Sequence, residues 1–281
     1  MEKRALVEKR LLSGAIDMHI HTSPDVVKRR LNDIEAAEDA RENGMRAIVI
    51  KSHVMATVGR AYLVNRIFDG IKIFGGVCLN EAVGGINPAI VRDLSSFEEM
   101  AFVWMPTTSA HNDVRRRGGE GIKLKSKPRE IEEILGTIAE RGLVLATGHL
   151  SVDESLALLD LARSSGVKKA VVNHPMSPVI GASIGEQKEL ARLAYLEHCY
   201  VACMKGHGSL DLKEIARAIK GVGAERCIMA TDLGQEDNPS PVDGMLSFIS
   251  SLLRLGISEK EIEVMVNRNP AKLLGMEGLQ P

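Results

Sequence analysis

Aromatic side chains make up only 3% of the chain, one Trp, three Tyr and five Phe, so a pocket that stacks a flat ring has little to draw on. Cysteine is also scarce. Cys78, Cys199, Cys203 and Cys227 form no Cys-x-x-Cys pair and each sits in or beside an apolar run, so they read as reduced core thiols of a cytoplasmic protein. No apolar run reaches the roughly 18 residues that a membrane span needs. Neither sign of charge dominates: 36 Lys and Arg stand against 37 Asp and Glu, and no global field draws the chain to nucleic acid or to an anionic membrane. The partner this leaves is a small-molecule substrate, with a homo-oligomer open. The N-terminal stretch Met1 to Arg10 alternates charged and apolar residues on a helical period and lacks the apolar core of a signal peptide, so residues 1–13 read as a helical extension.

No low-complexity segment or Pro/Ser linker divides the remainder, and 44% apolar residues suffice for one large core. A strand over Gly14 to His21 is followed by a helical stretch Leu31 to Glu42 that ends at Asn43-Gly44, a C-cap signal. The same unit then recurs. Strand-like runs fall at Ala47–Ile50, Ile71–Val77, Ala101–Met105, Leu143–Thr147, Ala170–Asn173, Tyr200–Met204 and Cys227–Ala230, with helical sequence between them. Helices fall near Arg60–Phe68, from Asn87-Pro88, and over Pro128–Glu140, Val152–Arg163, Glu186–Leu196 and Leu212–Ile219. Eight strands alternating with helices imply parallel pairing with right-handed crossovers, closing into a single-domain (β/α)8 TIM barrel over residues 14–281. A doubly wound open sheet is the alternative, but it would carry a Gly-rich phosphate turn after the first strand, where this chain has His-Thr-Ser-Pro. The connection after the fourth strand, from Thr107 to Gly121, is long enough to cover a site.

Residues two apart on a strand share a face, so His19-x-His21 sets two imidazoles side by side at the exit of the first strand, half of a metal site. Of the eight histidines, His19, His21, His53, His149, His174 and His207 lie at or just past a strand's carboxyl end, His111 follows in the long connection, and His198 precedes its strand. In a parallel barrel those ends converge on one mouth, where active sites of this fold sit. Lys51 and His53 are two apart and face that mouth together.

In their order along the strands, His19, His21, His149, His174 and Asp232 resemble the metal site of the amidohydrolase superfamily, and Asn269-Pro270-Ala271-Lys272-Leu273-Leu274-Gly275 looks like the closing C-terminal helix of those enzymes. Within it the chain looks most like an uncharacterised amidohydrolase-like group, marked by Ile50-Lys51-Ser52-His53, Gly75-Gly76-Val77-Cys78-Leu79-Asn80 and Trp104-Met105-Pro106-Thr107. The resemblance implies a metal-dependent hydrolase. Members with two ions bridge them by a carboxylated Lys, a Glu or a Cys from the fourth strand, and here that end offers none. One ion is therefore expected, held by His19, His21, His149 and Asp232, with His174 a further ligand or a hydrogen-bonding group. Imidazoles with one carboxylate suit Zn²⁺ best, with Mn²⁺ or Fe²⁺ also compatible.

The ion would lower the pKa of its water from 15.7 to about 7, Asp232 would take up and pass on the proton, and His174 would orient substrate or stabilise negative charge. Lys51 is a candidate catalytic group, as a carboxylated ligand or a cation for a substrate carboxylate; the alternative is a structural pair with Asp17 or Asp25. His53, Asn80, His111, His207 and Arg30 are candidate substrate contacts, with Glu81 a substitute bridging carboxylate and Arg115-Arg116-Arg117 a solvated run. The activity expected is hydrolysis of an amide, lactone or ester bond of a small anionic molecule. The alternatives are decarboxylation of a small unsaturated or aromatic acid, and a metal-binding barrel without turnover.

Overall fold

The computed structural model describes residues 2–278; residues 1 and 279–281, the outer ends of the two spans expected above, lie outside the described residues. Eight strands pair in parallel in sequence order: β1 (Ile16–His21), β2 (Ala47–Lys51), β3 (Lys72–Cys78), β4 (Met100–Trp104), β5 (Val144–Ala146), β6 (Ala170–Asn173), β7 (Tyr195–Cys199) and β8 (Cys227–Ala230). The sheet closes where β8 leaves: Asp232 N–H donates to the His19 carbonyl and His21 N–H to the Leu233 carbonyl, both at 2.7 Å. The fold is the expected (β/α)8 barrel.

Strands covered on both faces must be apolar on both, and here one set of side chains, including Ile16, Met18, Val49, Phe102, Trp104, Val171 and Ile228, fills the barrel interior. The other set meets the surrounding helices in two larger clusters. Helix starts are written locally: Asn32, Ser151, Ser183 and Ser258 each cap a helix and donate their backbone N–H to the carboxylate of a Glu three residues on. The helix Asn269–Leu274 plugs the barrel, putting Ala271 and Leu273 into the interior cluster while Asn269 donates to the carbonyls of Ala224 and Cys227. The N-terminal helix Glu2–Leu12 buries Leu11 and Leu12 in the same cluster as Ile249 and Ile262.

Two elements differ from expectation. The seventh strand is Tyr195–Cys199, not Tyr200–Met204, which instead forms a 3-10 turn over Tyr200–Cys203, and the helix before it stops at Leu190. No Gly or Pro between 186 and 205 marks either boundary, and the apolar run after the true strand is the more strand-like of the two. His198 therefore lies inside β7 rather than ahead of it, with Nε2 buried and unpartnered. The long connection is structured: a short helix His111–Val114, a bridge between Ala110 and Ile122, and 3-10 turns at Arg115–Arg117 and Leu124–Ser126.

Candidate metal centre

Closure of β8 onto β1 brings Asp232 against the His-x-His pair, its Oδ1 3.1 Å from both His19 Nε2 and His21 Nε2. Asp232 and His174 sit at φ of 53° and 28°, positive values that non-glycine residues rarely adopt and that recur at functional sites. Gly148 lets His149 approach: its φ is +62°, and a Cβ there would lie 2.4 Å from the Met105 carbonyl oxygen.

Five imidazoles close into a circle. His19 and His21 have ring centroids 5.4 Å apart, His21 stacks on His53 at 4.8 Å, His53 meets His149 at 6.1 Å, His149 meets His174 at 5.0 Å, and His174 returns to His19 at 6.1 Å. Lys51 Nζ lies 3.0 Å from His19 Nε2. Every Nδ1 in the circle has a neighbour behind it. His19 Nδ1 pairs with Glu197 Oε2 at 2.9 Å, His149 Nδ1 with Asp113 Oδ2 at 2.8 Å, His53 Nδ1 with Thr107 Oγ1 at 2.8 Å, and His174 Nδ1 with Ser177 Oγ at 3.2 Å. Carboxylates behind His19 and His149 are the outer partners that metal-binding imidazoles use to fix ring orientation and raise basicity. His21 differs: Arg29 Nη2 stands 3.5 Å from its Nδ1, and a guanidinium can only donate, so this contact puts the ring proton on Nε2, toward Asp232. Ligation by His21 requires Arg29 to draw back.

Burial favours the neutral form of His21, His53, His149 and His174. It pushes His21 down to about 4 and carries His53, His149 and His174 below the ordinary histidine value. Burial opposes ionisation of Asp232 as well, but the neighbouring His19 and His21 outweigh it and hold the carboxyl well below the usual range. Neutral imidazoles beside an ionised carboxylate are the donor chemistry of a divalent ion. The donor set fits. Cys199 stands close by: with His19 and Asp232 it forms a group whose ligand atoms all lie within 4.8 Å, though burial and the Glu197 and Asp232 carboxylates push its thiol well above the ordinary value.

The circle opens on a cavity with two lobes of about 280 and 330 Å³, both lined by His149, His174, Val201, His207 and Asp232. Lys51, His53 and Arg29 line the second lobe. The other expected contacts lie elsewhere. Asn80 is spent on neighbouring loops: Nδ2 donates to the His53 carbonyl and Thr107 Oγ1, and Oδ1 accepts from the Thr107 and Ser109 amides. His111 turns to the Glu120 carbonyl within the long connection. Arg30 is exposed and donates to the carbonyls of Glu236 and Asn238, so Arg29, its neighbour, faces the site in its place, paired with Asp25 at 2.7 Å. Glu81 is exposed and lines a separate depression beside Lys123, away from the circle.

Asp113, Glu197 and Cys199 carry no signal in the sequence order of the strands used above. Glu197 and Cys199 were hidden by the displaced seventh strand, and Asp113 by its place in a connection.

The geometry can be set beside known proteins. In fold, the chain shares its (β/α)8 barrel with several solved structures. It is similar to an amidohydrolase from Pseudomonas aeruginosa, at 13% identity and TM-score 0.66 over 96% of this chain and 98% of that one. It is also similar to a putative 2-pyrone-4,6-dicarboxylic acid hydrolase from Pseudomonas putida, at 17% and 0.62 over 94% and 98%. A 2,6-dihydroxybenzoate decarboxylase from Rhizobium matches at 11% and 0.52 over 95% and 100%. Residues 14–197 match a family of unknown function, DUF6282, and the chain belongs to it. No curated protein matches in sequence.

Proposed function

We propose that the protein is a metal-dependent hydrolase that cleaves an amide, lactone or ester bond of a small anionic molecule, with one divalent ion held by His19, His149 and Asp232 together with His21 or His174. The observation that carries this reading is the circle of five imidazoles around the Asp232 carboxylate at the floor of a cavity. The hydrolases among the structural neighbours support it. Zinc suits the nitrogen-rich donor set.

When bound, such an ion supplies Lewis acidity to a carbonyl oxygen and acidifies water at neutral pH. The chain's own groups do the rest. Asp232, held ionised, accepts a proton at its carboxylate and returns it to the leaving group. His174, neutral and lining both lobes, hydrogen-bonds the substrate beside it. Lys51 and Arg29 put positive charge on the wall of the second lobe, which favours a substrate carboxylate, and exposed His207 stands where such a molecule enters.

The test is the purified, zinc-loaded protein offered lactones, dipeptides and carboxylic acids. Acid release that chelation abolishes supports hydrolysis. Release of carbon dioxide replaces it with decarboxylation, the activity named for the Rhizobium neighbour. Retained zinc without turnover of any class replaces it with a binding role.

A further inference from the structure

Glu197 lies in β7 at no exposure, behind His19 and away from the cavity, and no proton step proposed above passes through it. Its surroundings assign the proton on His19. A backbone amide can only donate: Gly148 N–H donates to Asn173 Oδ1 at 2.9 Å, which makes the other end of that side chain the donor. Asn173 Nδ2 then donates to Glu197 Oε2 at 2.7 Å, so Oε2 is an acceptor. His19 Nδ1, 2.9 Å from the same Oε2, must therefore carry the ring proton. Two groups meet the far side of the ring at Nε2: Lys51 Nζ at 3.0 Å, which can donate to a lone pair there, and Asp232 Oδ1 at 3.1 Å, which also lies 3.1 Å from His21 Nε2 and can take its proton from that ring. The chain of bonds runs from the exit of β5 through β6 and β7 to β1, and all of its side chains are buried. Glu197 Oε1 has no partner, so the carboxylate's presence is not explained by the satisfaction of both its oxygens.

We propose that Glu197 is a positioning residue that, with Asn173, fixes the proton of His19 on Nδ1 and keeps the Nε2 lone pair turned into the cavity, ready for a cation. The part concerning metal affinity rests on the function proposed above; the part concerning the proton does not. His21, with Arg29 behind it in place of a carboxylate, has the opposite arrangement, so the two members of the His-x-His pair do different work. His19 offers a lone pair and His21 offers a proton to Asp232.

The test uses full-length protein labelled with ¹⁵N in histidine and stripped of metal, with long-range ¹H–¹⁵N spectra to read each ring's tautomer. The expected result is a His19 protonated on Nδ1, its proton shifted downfield and slow to exchange. A His19 protonated on Nε2 overturns the proposal without any variant being made. In Glu197→Leu the downfield proton signal is expected to move upfield and zinc affinity, measured by chelator competition, to fall about 10- to 100-fold. Glu197→Gln keeps an acceptor and is expected to retain the signal and most of the affinity. If Glu197→Leu keeps the downfield signal, or if zinc affinity stays within about twofold while only thermal stability drops, the residue is structural and the proposal fails. If the wild-type protein binds no zinc, the proposed function falls, and the tautomer still decides the role of Glu197.

Discussion

His19 and His207 bring imidazoles to the same cavity by different means. His19 is buried on a strand, held at Nδ1 by Glu197 and covered at Nε2 by Lys51 and Asp232. His207 is exposed on a loop between Gly206 and Gly208, with no side-chain bond of its own among the described residues. The floor is a lattice of buried, hydrogen-bonded side chains; the rim is chain that can move or be replaced without disturbing a strand. That division matches the way barrel enzymes separate chemistry from choice of substrate, with the strand ends carrying the first and the loops the second.

If the comparison holds, damage should grade from floor to rim. The largest loss is expected for Asp232→Asn, which removes the negative charge that lies against both His19 and His21: turnover should drop by more than about 100-fold, and bound metal should fall with it, read by steady-state kinetics and elemental analysis of one preparation. Asp113→Asn comes next. It takes the carboxylate from behind His149 and should weaken zinc binding about 10-fold in chelator competition while the thermal midpoint stays within a few degrees. His207→Ala should raise KM a few-fold, about 1 kcal/mol of lost binding, and leave kcat and metal content alone. Smallest is Arg30→Ala: its bonds are to exposed loop carbonyls, so stability should change by no more than about 0.5 kcal/mol and kcat/KM not at all. A strong effect of Arg30→Ala with none of Asp113→Asn would invert the comparison.

The same division governs what could be read from the sequence. The barrel was legible because eight apolar runs alternate with helical stretches, and the imidazoles of the floor were legible because they sit at strand ends, where parallel topology makes them converge. Strand phase failed where the local pattern misleads. Tyr200-Val201-Ala202-Cys203-Met204 is apolar enough for a strand, while the true β7 carries Glu197 and His198 and looks too polar for one, so the carboxylate behind His19 was passed over. Arg29 and Arg30 cannot be told apart by composition. Only the bridge between Arg29 and Gln235 decides which of them points inward. Asn80 has the right position for a substrate contact, but its hydrogen bonds go to Cys78 at the end of β3 and to the loops that follow β2 and β4, an accounting that requires coordinates.

One measurement bears most directly on the account: metal content per chain by elemental analysis, on protein purified without added metal and again after zinc is supplied and the excess removed. The account predicts one equivalent, lost in Asp232→Asn and unchanged in His207→Ala. A chain that holds no ion even after zinc is supplied would contradict it.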